Sequence, residues 1–202
     1  MIVYAASTNP GKLKEFALAA HDIDIETLPN LKSIPPPEEN GATFEENAST
    51  KAAYYSTFTS EVVLADDSGL EVDALHGAPG IHSARYSGPQ ATDQSNNELL
   101  LRNLASSTGR NARFVCAVAL ARAGTILTIA RGTAEGTILN APRGSGGFGY
   151  DPLFFYPPLN RSFAEVTPED KFKVSHRGKA LRTLFHSEIA LHLAQIGQSP
   201  AR

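Results

Sequence analysis

The segment Val62–Leu70, with the sequence VVLADDSGL, is the feature that most constrains the fold. Its apolar run is typical of a buried strand, and it leads directly into two adjacent carboxylates and a Ser-Gly turn. If the extended backbone persists, Asp66 and Asp67 point to opposite sides, so that one can face a cleft while the other anchors the turn. Mg²⁺ binds carboxylate oxygens of this kind. The segment therefore predicts a metal and phosphate site or, alternatively, only a polar turn.

The composition indicates an ordinary globular protein, with 42% hydrophobic and 19% charged residues among 202. The net charge of −3 argues against a surface that binds nucleic acid, because such surfaces are usually basic. Any phosphate that binds is therefore expected on a small molecule. Cys116 is the only cysteine, which excludes an intrachain disulfide. The N-terminus lacks signal-peptide features and no run is long enough to span a membrane, so we expect a cytoplasmic protein without a membrane partner.

Near the N-terminus, the sequence predicts a strand, a polar loop and a helix. The strand-like run Ile2–Ala6 leads into the loop Ser7–Lys12 and then into the helical pattern Leu13–Ala20. Such a loop places backbone N–H groups and a helix N-terminus where an anion can bind, and Lys12 adds a positive charge. With only one glycine, the loop is not a Walker A motif. The alternative is an ordinary helix entry, with a polar cap before Pro10.

Periodicity and capping signals predict the other elements. The further predicted strands are Ile23–Leu28, Leu70–Leu75, Ala112–Ala121, Thr125–Ala130 and Leu153–Tyr156. The further predicted helices run from a Thr43 capping box to about Phe58, from Thr92 or Asp93 through Leu104, from Thr167 and Pro168 onwards, and from Gly178 to about Ile196.

The helix that follows Thr43 carries two polar side chains that can act together. Asn47 and Lys51 are four residues apart, so both lie on one face and can reach a common ligand. The alternative is that they form part of a solvated surface. Glu38 and Glu39 precede this helix as candidate second carboxylates for the metal, although acids in that position also simply favour the helix dipole.

The segment Arg143–Pro152 contains four glycines in ten residues, which indicates that something approaches its backbone closely. Phe148 and Tyr150 stand between or beside these glycines and can stack on a nucleobase, a contact that contributes about 1–3 kcal/mol per base. The alternative for both rings is packing beneath the loop. Further along, three potential donors meet near a helix start, at Lys171, His176 and Arg177. Their alternative is a structural histidine with a solvated basic surface.

Taken together and in this order, these motifs resemble the inosine/xanthosine triphosphate pyrophosphatase family over almost the whole chain. Six motifs in register carry the resemblance. They are Ser7-x-Asn9-x-Gly11-Lys12, Thr43-Phe44-x-Glu46-Asn47-Ala48-x-x-Lys51, Ala65-Asp66-Asp67-Ser68-Gly69-Leu70, Gly77-Ala78-Pro79-Gly80-x-x-Ser83-Ala84-Arg85, Gly146-Gly147-Phe148-Gly149-Tyr150-Asp151-Pro152 and Ser175-His176-Arg177-Gly178. Two departures are Thr8, where the family often has glycine, and His82, where it usually has an aromatic residue.

The resemblance implies one two-lobed domain over residues 1–202, of the α/β class. Its mixed, strongly bent central sheet would be flanked by helices, with the active-site cleft between the lobes. It further implies a homodimer, dependence on Mg²⁺, and hydrolysis of dITP, ITP and XTP to a nucleoside monophosphate and pyrophosphate. Such an enzyme keeps these noncanonical purines out of DNA and RNA. Its substrate is a small nucleotide, not a nucleic acid polymer.

The resemblance also assigns roles to individual residues. Asp67 matches the general base and metal-associated carboxylate, and Ser68 matches a substrate contact. Either Glu38 or Glu39 matches the acidic metal position. The positions that match phosphate binding are Ser7, Thr8, Asn9, Pro10, Gly11 and Lys12, with Lys51 as a further candidate. The positions that match base recognition are Phe148, Gly149, Tyr150, Asp151, Lys171, His176 and Arg177.

The chemistry of these residues agrees with that assignment. Donors from His176 and Arg177 favour the keto group at purine position six, where adenine presents a donor of its own. Two other functions compete with this hypothesis. One is a related nucleotidase for a different modified nucleotide, and the other is a nucleotide sensor that binds without turnover. The adjacent acids Asp66 and Asp67 argue against a sensor.

Overall fold

The computed structural model describes residues 2–19 and 23–186 of the chain. Within these residues, seven strands form one sheet. In chain order the strands are β1 (Ile2–Ala5), β2 (Asp24–Thr27), β3 (Val62–Val72), β4 (Asn111–Arg122), β5 (Thr125–Ile138), β6 (Phe154–Tyr156) and β7 (Arg161–Ser162). The helices are α1 (Pro10–Ala19), α2 (Phe44–Tyr55), α3 (Asp93–Asn103), α4 (Pro168–Val174) and α5 (His176–Phe185).

The sheet is mixed, with the strand order β2-β1-β3-β4-β5-β6-β7. Strand β1 pairs in parallel with β2 and with β3, whereas β6 pairs antiparallel with β5 and with β7. The predicted α/β class with a mixed sheet flanked by helices is therefore confirmed. No helix within residues 2–19 and 23–186 combines the length and apolarity needed to cross a membrane.

The chain divides into two compact units. The first takes the described residues of Met1–Asp67, Cys116–Gly132 and Arg177–Arg202, and the second takes Ser68–Val115 and Thr133–His176. In the first unit, residues 116–121 of β4 are almost completely inaccessible to solvent. This burial agrees with the continuous apolar sequence of that strand, which is typical of a strand covered on both faces.

The second unit has an aromatic centre. The rings of Phe114, Phe154 and Phe163 lie with their centroids 4.6 to 5.9 Å apart. Leu70 and Val72 from β3 belong to the same buried apolar cluster and are 0% exposed. Their burial fixes the register of the last residues of β3, because a slip of one residue would turn both side chains to the other face.

The prediction that the strand from Val62 ends at the two acids was wrong, as was the separate strand predicted over Leu70–Leu75. Strand β3 continues without a break through Ser68 and Gly69 to Val72. Turn propensity is overridden because Leu70 packs in the core and its N–H donates to the Ser83 hydroxyl at 2.9 Å. The extended backbone therefore passes through both acids.

Strands β4 and β5 form a hairpin. Its two turn residues, Ala123 and Gly124, have φ values of 48° and 80°. Positive φ at both positions is typical of the tight type I′ turn, whose twist matches that of the flanking strands. The Gly124 N–H also donates to the Ser56 hydroxyl at 2.9 Å, which fixes the turn within the first unit. Strand β5 runs beyond the predicted Ala130 to Ile138.

Helix starts follow the capping signals more closely than helix ends. Thr43 caps α2, with its hydroxyl accepting the Glu46 N–H at 3.1 Å. The Glu46 carboxylate reaches back to the Ala42 N–H, one residue earlier than an ideal capping box requires. Thr92 and Thr167 likewise cap α3 and α4. The predicted continuation of α5 to Ile196 lies outside the described residues.

Replacement of Gly136, in β5, by alanine tests the packing of the second unit. A Cβ there would lie 2.4 Å from the Phe155 carbonyl oxygen and 2.6 Å from the Phe154 ring. We expect Gly136→Ala to lower the free energy of unfolding by about 1–3 kcal/mol, as overpacking does. In the control Gly109→Ala, the nearest atom is the Ala74 Cβ at 3.9 Å, so little change is expected. Urea denaturation measures the free energy of unfolding of wild type and of both variants. A Gly136→Ala variant as stable as Gly109→Ala would contradict the steric argument.

Candidate active site

Strand β3 sends its two adjacent aspartates into different surroundings. Both side chains are buried, with Asp66 3% and Asp67 7% exposed. Because successive side chains of an extended strand point to opposite faces, the two carboxylates meet different partners. Asp66 contacts Lys12 and Arg177, whereas Asp67 contacts Asn47 and Lys51. The predicted separation of the two acids is therefore observed, although neither ends the strand.

The carboxylate of Asp67 is held at both oxygens. Its Oδ2 accepts a hydrogen bond from the Asn47 amide at 3.1 Å, and its Oδ1 lies 3.3 Å from the Lys51 ammonium. Burial raises the pKa of Asp67, and the opposing effects of Lys51 and Asn47 do not cancel that increase. Asp67 is therefore a stronger base than an exposed aspartate.

Lys51 connects Asp67 with the acidic segment before α2. Its ammonium lies 3.2 Å from the Glu39 carboxylate, close to its distance from Asp67. Burial lowers the pKa of Lys51, but the charges of Asp67, Asp66 and Glu39 outweigh burial and leave that pKa raised. Glu38 is exposed, and its carboxylate accepts a bond from Asn40. Of the two candidate glutamates, Glu39 therefore shares a cation with Asp67.

These acids fit the requirements of Mg²⁺. In residues 2–19 and 23–186, no three or more His, Cys, Asp or Glu side chains form a ready metal-binding group. Mg²⁺ needs less than that, because it is commonly held by one or two carboxylates together with substrate phosphates and water. The oxygens of Glu39 and Asp67 both lie within 3.3 Å of one ammonium, so they already converge on a positive charge.

Asn47 has a role that the sequence showed only in part. Its spacing from Lys51 correctly placed both side chains on one face of α2, and both reach Asp67. In addition, the Asn47 amide oxygen accepts the Gly41 N–H at 2.9 Å. Asn47, which is 1% exposed, thus ties the backbone just after Glu39 to the carboxylate of Asp67.

The Asp66 carboxylate lies in a buried network of opposite charges. Its Oδ1 is 3.0 Å from the Lys12 ammonium, and its Oδ2 accepts two bonds from Arg177, at 3.2 and 3.1 Å. The Arg177 guanidinium also donates to Glu15, on α1. Burial alone would raise the pKa of Asp66, but Lys12 and Arg177 more than offset burial and hold it far below its usual range.

Arg177 was predicted to recognise the nucleobase. The structure places it 1% exposed in the first unit, where its guanidinium donates to Asp66 and Glu15. A contact with the base stays a prediction. Glu15 was missed by the sequence reasoning, because a single acid on a short helix has no distinctive pattern; its only signal is the three-residue spacing from Lys12.

The segment Ser7–Lys12 starts helix α1 rather than forming a loop before it. The helix begins at Pro10, and the Asn9 side chain accepts the N–H groups of Gly11 and Lys12 at 2.8 and 3.1 Å. This geometry is the helix entry that the sequence left open as an alternative. It still places exposed Thr8, Asn9 and Pro10 beside the Lys12 ammonium. Phosphate binding by this segment stays a prediction.

In the second unit, the glycine-rich segment surrounds a buried ion pair. The Asp151 carboxylate accepts the Phe148 N–H at 2.9 Å and the Lys171 ammonium at 2.5 Å. Lys171 also lies 4.5 Å from the centre of the Phe148 ring, in the geometry of a cation–π contact. Asp151 and Lys171 are 1% and 4% exposed, so both charges are withdrawn from solvent and satisfied by each other.

The two aromatic residues of this segment differ. Tyr150 is buried in the apolar core, and its hydroxyl donates to the Ser83 carbonyl at 2.8 Å. Its ring thus packs in the core, whereas Phe148 is half-buried. A contact of Tyr150 with the base stays a prediction. His176 stacks on Phe114 with ring centres 4.7 Å apart and is 4% exposed. Ser68 follows Asp67 in β3 and is half-buried.

A profile of the Ham1 family matches residues 3–187 of the sequence. The chain belongs to the Ham1 family. Among its relatives, a dITP/XTP pyrophosphatase of an Exiguobacterium species is 51% identical over 91% of this chain and 95% of that protein. The dITP/XTP pyrophosphatase of Thermus thermophilus is 48% identical over 93% of this chain and 91% of that protein. The resemblance inferred from the motifs is thereby confirmed.

Solved structures agree with this membership. The Ham1 protein of Staphylococcus aureus has a TM-score of 0.83 and 37% sequence identity, over 96% of this chain and all of that one. A nucleoside-triphosphatase / dITP/XTP pyrophosphatase from Mycobacterium abscessus has a TM-score of 0.70 and 41% sequence identity, over 93% of this chain and 100% of that one. The Ham1 fold is thus matched along nearly the whole chain.

The network around Asp66 predicts a pH-dependent stability. Because the pKa of Asp66 is lowered on folding, its ionised form stabilises the fold above about pH 4. That contribution is lost as the pH falls towards the folded-state pKa. We expect Asp66→Asn to cost about 3–5 kcal/mol at pH 7, as a broken buried ion pair does.

The difference between wild type and Asp66→Asn should stay constant from pH 7 to about pH 5 and shrink below about pH 4. Urea denaturation of the metal-free proteins across this range measures it. Asp73→Asn removes a half-exposed partner of Arg113 and serves as the control, with a cost below about 1 kcal/mol. A cost of Asp66→Asn that is the same at every pH would contradict the lowered pKa.

Proposed function

We propose that this chain hydrolyses noncanonical purine nucleoside triphosphates, namely dITP, ITP and XTP, to the monophosphate and pyrophosphate. The observation that carries the proposal is the environment of Asp67. A buried carboxylate with a raised pKa lies beside a lysine and a second acid, in a chain about half identical to dITP/XTP pyrophosphatases. This combination provides a base, a cation and a metal-binding oxygen pair for attack on a polyphosphate.

Asp67 is the proposed general base. Its raised pKa increases its affinity for the proton that an attacking water must lose. The bonds from Asn47 and Lys51 fix both carboxylate oxygens, so the side chain is oriented before the substrate binds. Orientation of this kind contributes to the rate because no reorganisation is needed at the moment of reaction.

Lys12 and Lys51 are the proposed binding groups for the triphosphate. Lys12 lies in the first turn of α1, where the helix dipole also favours an anion. Asp66 holds the Lys12 ammonium at 3.0 Å, and that side chain remains partly exposed. Its charge is thus both anchored and accessible. Ser7, Thr8, Asn9, Pro10, Gly11 and Ser68 are proposed to contact the substrate beside these lysines.

Asp67 and Glu39 would hold the Mg²⁺ ion, with Glu38 as the more exposed alternative. When bound, the ion would supply charge neutralisation for the phosphates and activation of a water molecule. Lys51, whose ammonium these two carboxylates share, would be available to the phosphate if both carboxylates bound the ion.

The purine base is proposed to contact the second-unit residues Phe148, Gly149, Asp151, Lys171 and His176, together with Arg177. The ring of Phe148, a half-buried residue, is the proposed stacking face. Donors directed at purine position six would select keto bases, since adenine would face them with a donor of its own. The homodimer, the cytoplasmic location and the single domain over residues 1–202 remain predictions from the family resemblance.

A panel of triphosphates tests the proposed reaction. With Mg²⁺ present, we expect one pyrophosphate per nucleoside monophosphate from dITP, ITP and XTP, and little product from ATP. Chelation by EDTA should abolish the release, and added Mg²⁺ should restore it. Orthophosphate instead of pyrophosphate would show a different bond cleavage. Selective turnover of another modified nucleotide would favour the related nucleotidase.

Asp67→Asn tests the assigned base. We expect kcat to fall about 10²- to 10⁴-fold, the contribution of a general base, because the amide cannot accept the proton. The circular dichroism spectrum should be unchanged. Asp24→Asn, at an exposed position of β2 in the same unit, is the matched control and should keep full activity. Wild-type turnover by Asp67→Asn would refute the role.

A further inference from the structure

Two side chains of helix α3 bind the backbone of the glycine-rich segment at Gly149. The carboxylate of Asp93 accepts the Gly149 N–H at 2.6 Å, and the amide of Asn97 donates to the Gly149 carbonyl at 2.8 Å. Asp93 and Asn97 are four residues apart and so lie on one face of α3. Both polar groups of a single residue are thus bound by one helix.

The chemistry of these two hydrogen bonds to Gly149 is specific. The bond from Gly149 to Asp93 is charge-assisted, a class of hydrogen bond about twice as strong as a neutral one. The buried Oδ1 of Asn97 accepts no hydrogen bond from the described part of the chain. The orientation of that amide is therefore set by its bond to Gly149, since a flipped amide would oppose two oxygens.

The helix that carries these side chains is itself firmly held. Thr92 and Ser95 form a reciprocal capping box at its start. Asn96, which is 4% exposed, donates to the carbonyls of Ser83 and Ala84 and accepts the Ser87 N–H at 2.8 Å. These contacts hold helix α3 in place. Its hydrogen bonds to Gly149 therefore restrain the backbone of that residue.

Gly149 needs such a support. Its φ of +61° lies in the left-handed region, and among residues 2–19 and 23–186, apart from its two chain neighbours, no atom lies within 4 Å of a Cβ built on it. Packing therefore does not restrain this residue, and glycine explores more backbone conformations than any other residue. Its neighbours include Phe148, whose N–H donates to Asp151 and whose ring lies 4.5 Å from the Lys171 ammonium. Rotation at Gly149 would displace that ring.

We propose that Asp93 and Asn97 are positioning residues that fix the peptide at Gly149, so that Phe148 is presented for stacking on the purine. The inference rests on the proposed function and deepens it. Neither side chain touches the substrate. Their contribution is therefore to nucleotide binding and to base selectivity, and not to the chemical step at Asp67.

The kinetic test uses Asp93→Ala and Asn97→Ala with ITP or XTP as substrate. We expect KM to rise about five- to thirtyfold, the effect of one lost hydrogen bond, while kcat changes less than about threefold. Asp93→Asn retains an acceptor for the Gly149 N–H and should recover most of the affinity. A variant that was merely unstable would instead lower kcat at unchanged KM, because less enzyme would be active.

Glu98→Ala is the matched control on the same helix. Its carboxylate accepts a bond from Gln94 on an exposed part of α3 and is not directed at Gly149. KM should therefore keep its wild-type value. An equal rise in KM for this control would overturn the proposal, because a general disturbance of α3 would then explain the effect.

Hydrogen exchange followed by mass spectrometry tests the hydrogen bonds between α3 and Gly149 independently of enzyme activity. Peptides that cover residues 144–152 should exchange faster in Asp93→Ala than in wild type or in Glu98→Ala. Unchanged exchange in Asp93→Ala would show that the hydrogen bonds from α3 do not restrain Gly149. Faster exchange with an unchanged KM would show that this restraint does not contribute to nucleotide binding. If wild-type enzyme released no pyrophosphate from any purine triphosphate, the proposed function would fail independently of the exchange result.

Discussion

The extended backbone of β3 at Asp66 and Asp67 is the constraint on which the candidate active site depends. It turns two identical side chains, adjacent in the sequence, into groups with opposite properties. The pKa of Asp66 is lowered because Lys12 and Arg177 outweigh the effect of burial, whereas that of Asp67 is raised because burial outweighs Lys51 and Asn47. One carboxylate thereby serves as a permanent anion that anchors cations. The other is suited to accept a proton.

The local features of the sequence predicted the local features of the structure. Capping residues marked helix starts, apolar runs marked strands, and the spacing of Asn47 and Lys51 placed both on one helix face. These signals depend on neighbours within a few residues. The break predicted after Asp67 failed because the burial of Leu70 and Val72 in a distant core outweighs the turn propensity of Ser-Gly.

The unpredicted parts of the site depend on contacts between residues far apart in the sequence. Glu39, and not Glu38, shares a cation with Asp67 because it meets Lys51, twelve residues later in the sequence. Glu15 and Arg177 are separated by 162 positions, and no periodic pattern relates them. Phe148 and Tyr150 both adjoin Gly149, yet only the tyrosine is buried in the core. Family resemblance supplied roles for many of these positions, but it did not supply their partners.

The link between Asp66 and Arg177 has a consequence for the growing polypeptide. The two residues are 111 positions apart, and the segments of the second unit all lie between them in the sequence. Every residue of the second unit is therefore synthesised before Arg177, whose guanidinium compensates the charge of Asp66 together with Lys12. Chains often fold from the N-terminus during synthesis, but the first unit includes residues from Arg177 onwards and can be completed only after these are synthesised. A translation product truncated before Arg177 would leave the Asp66 and Glu15 carboxylates without that guanidinium, although Lys12 would still lie beside Asp66.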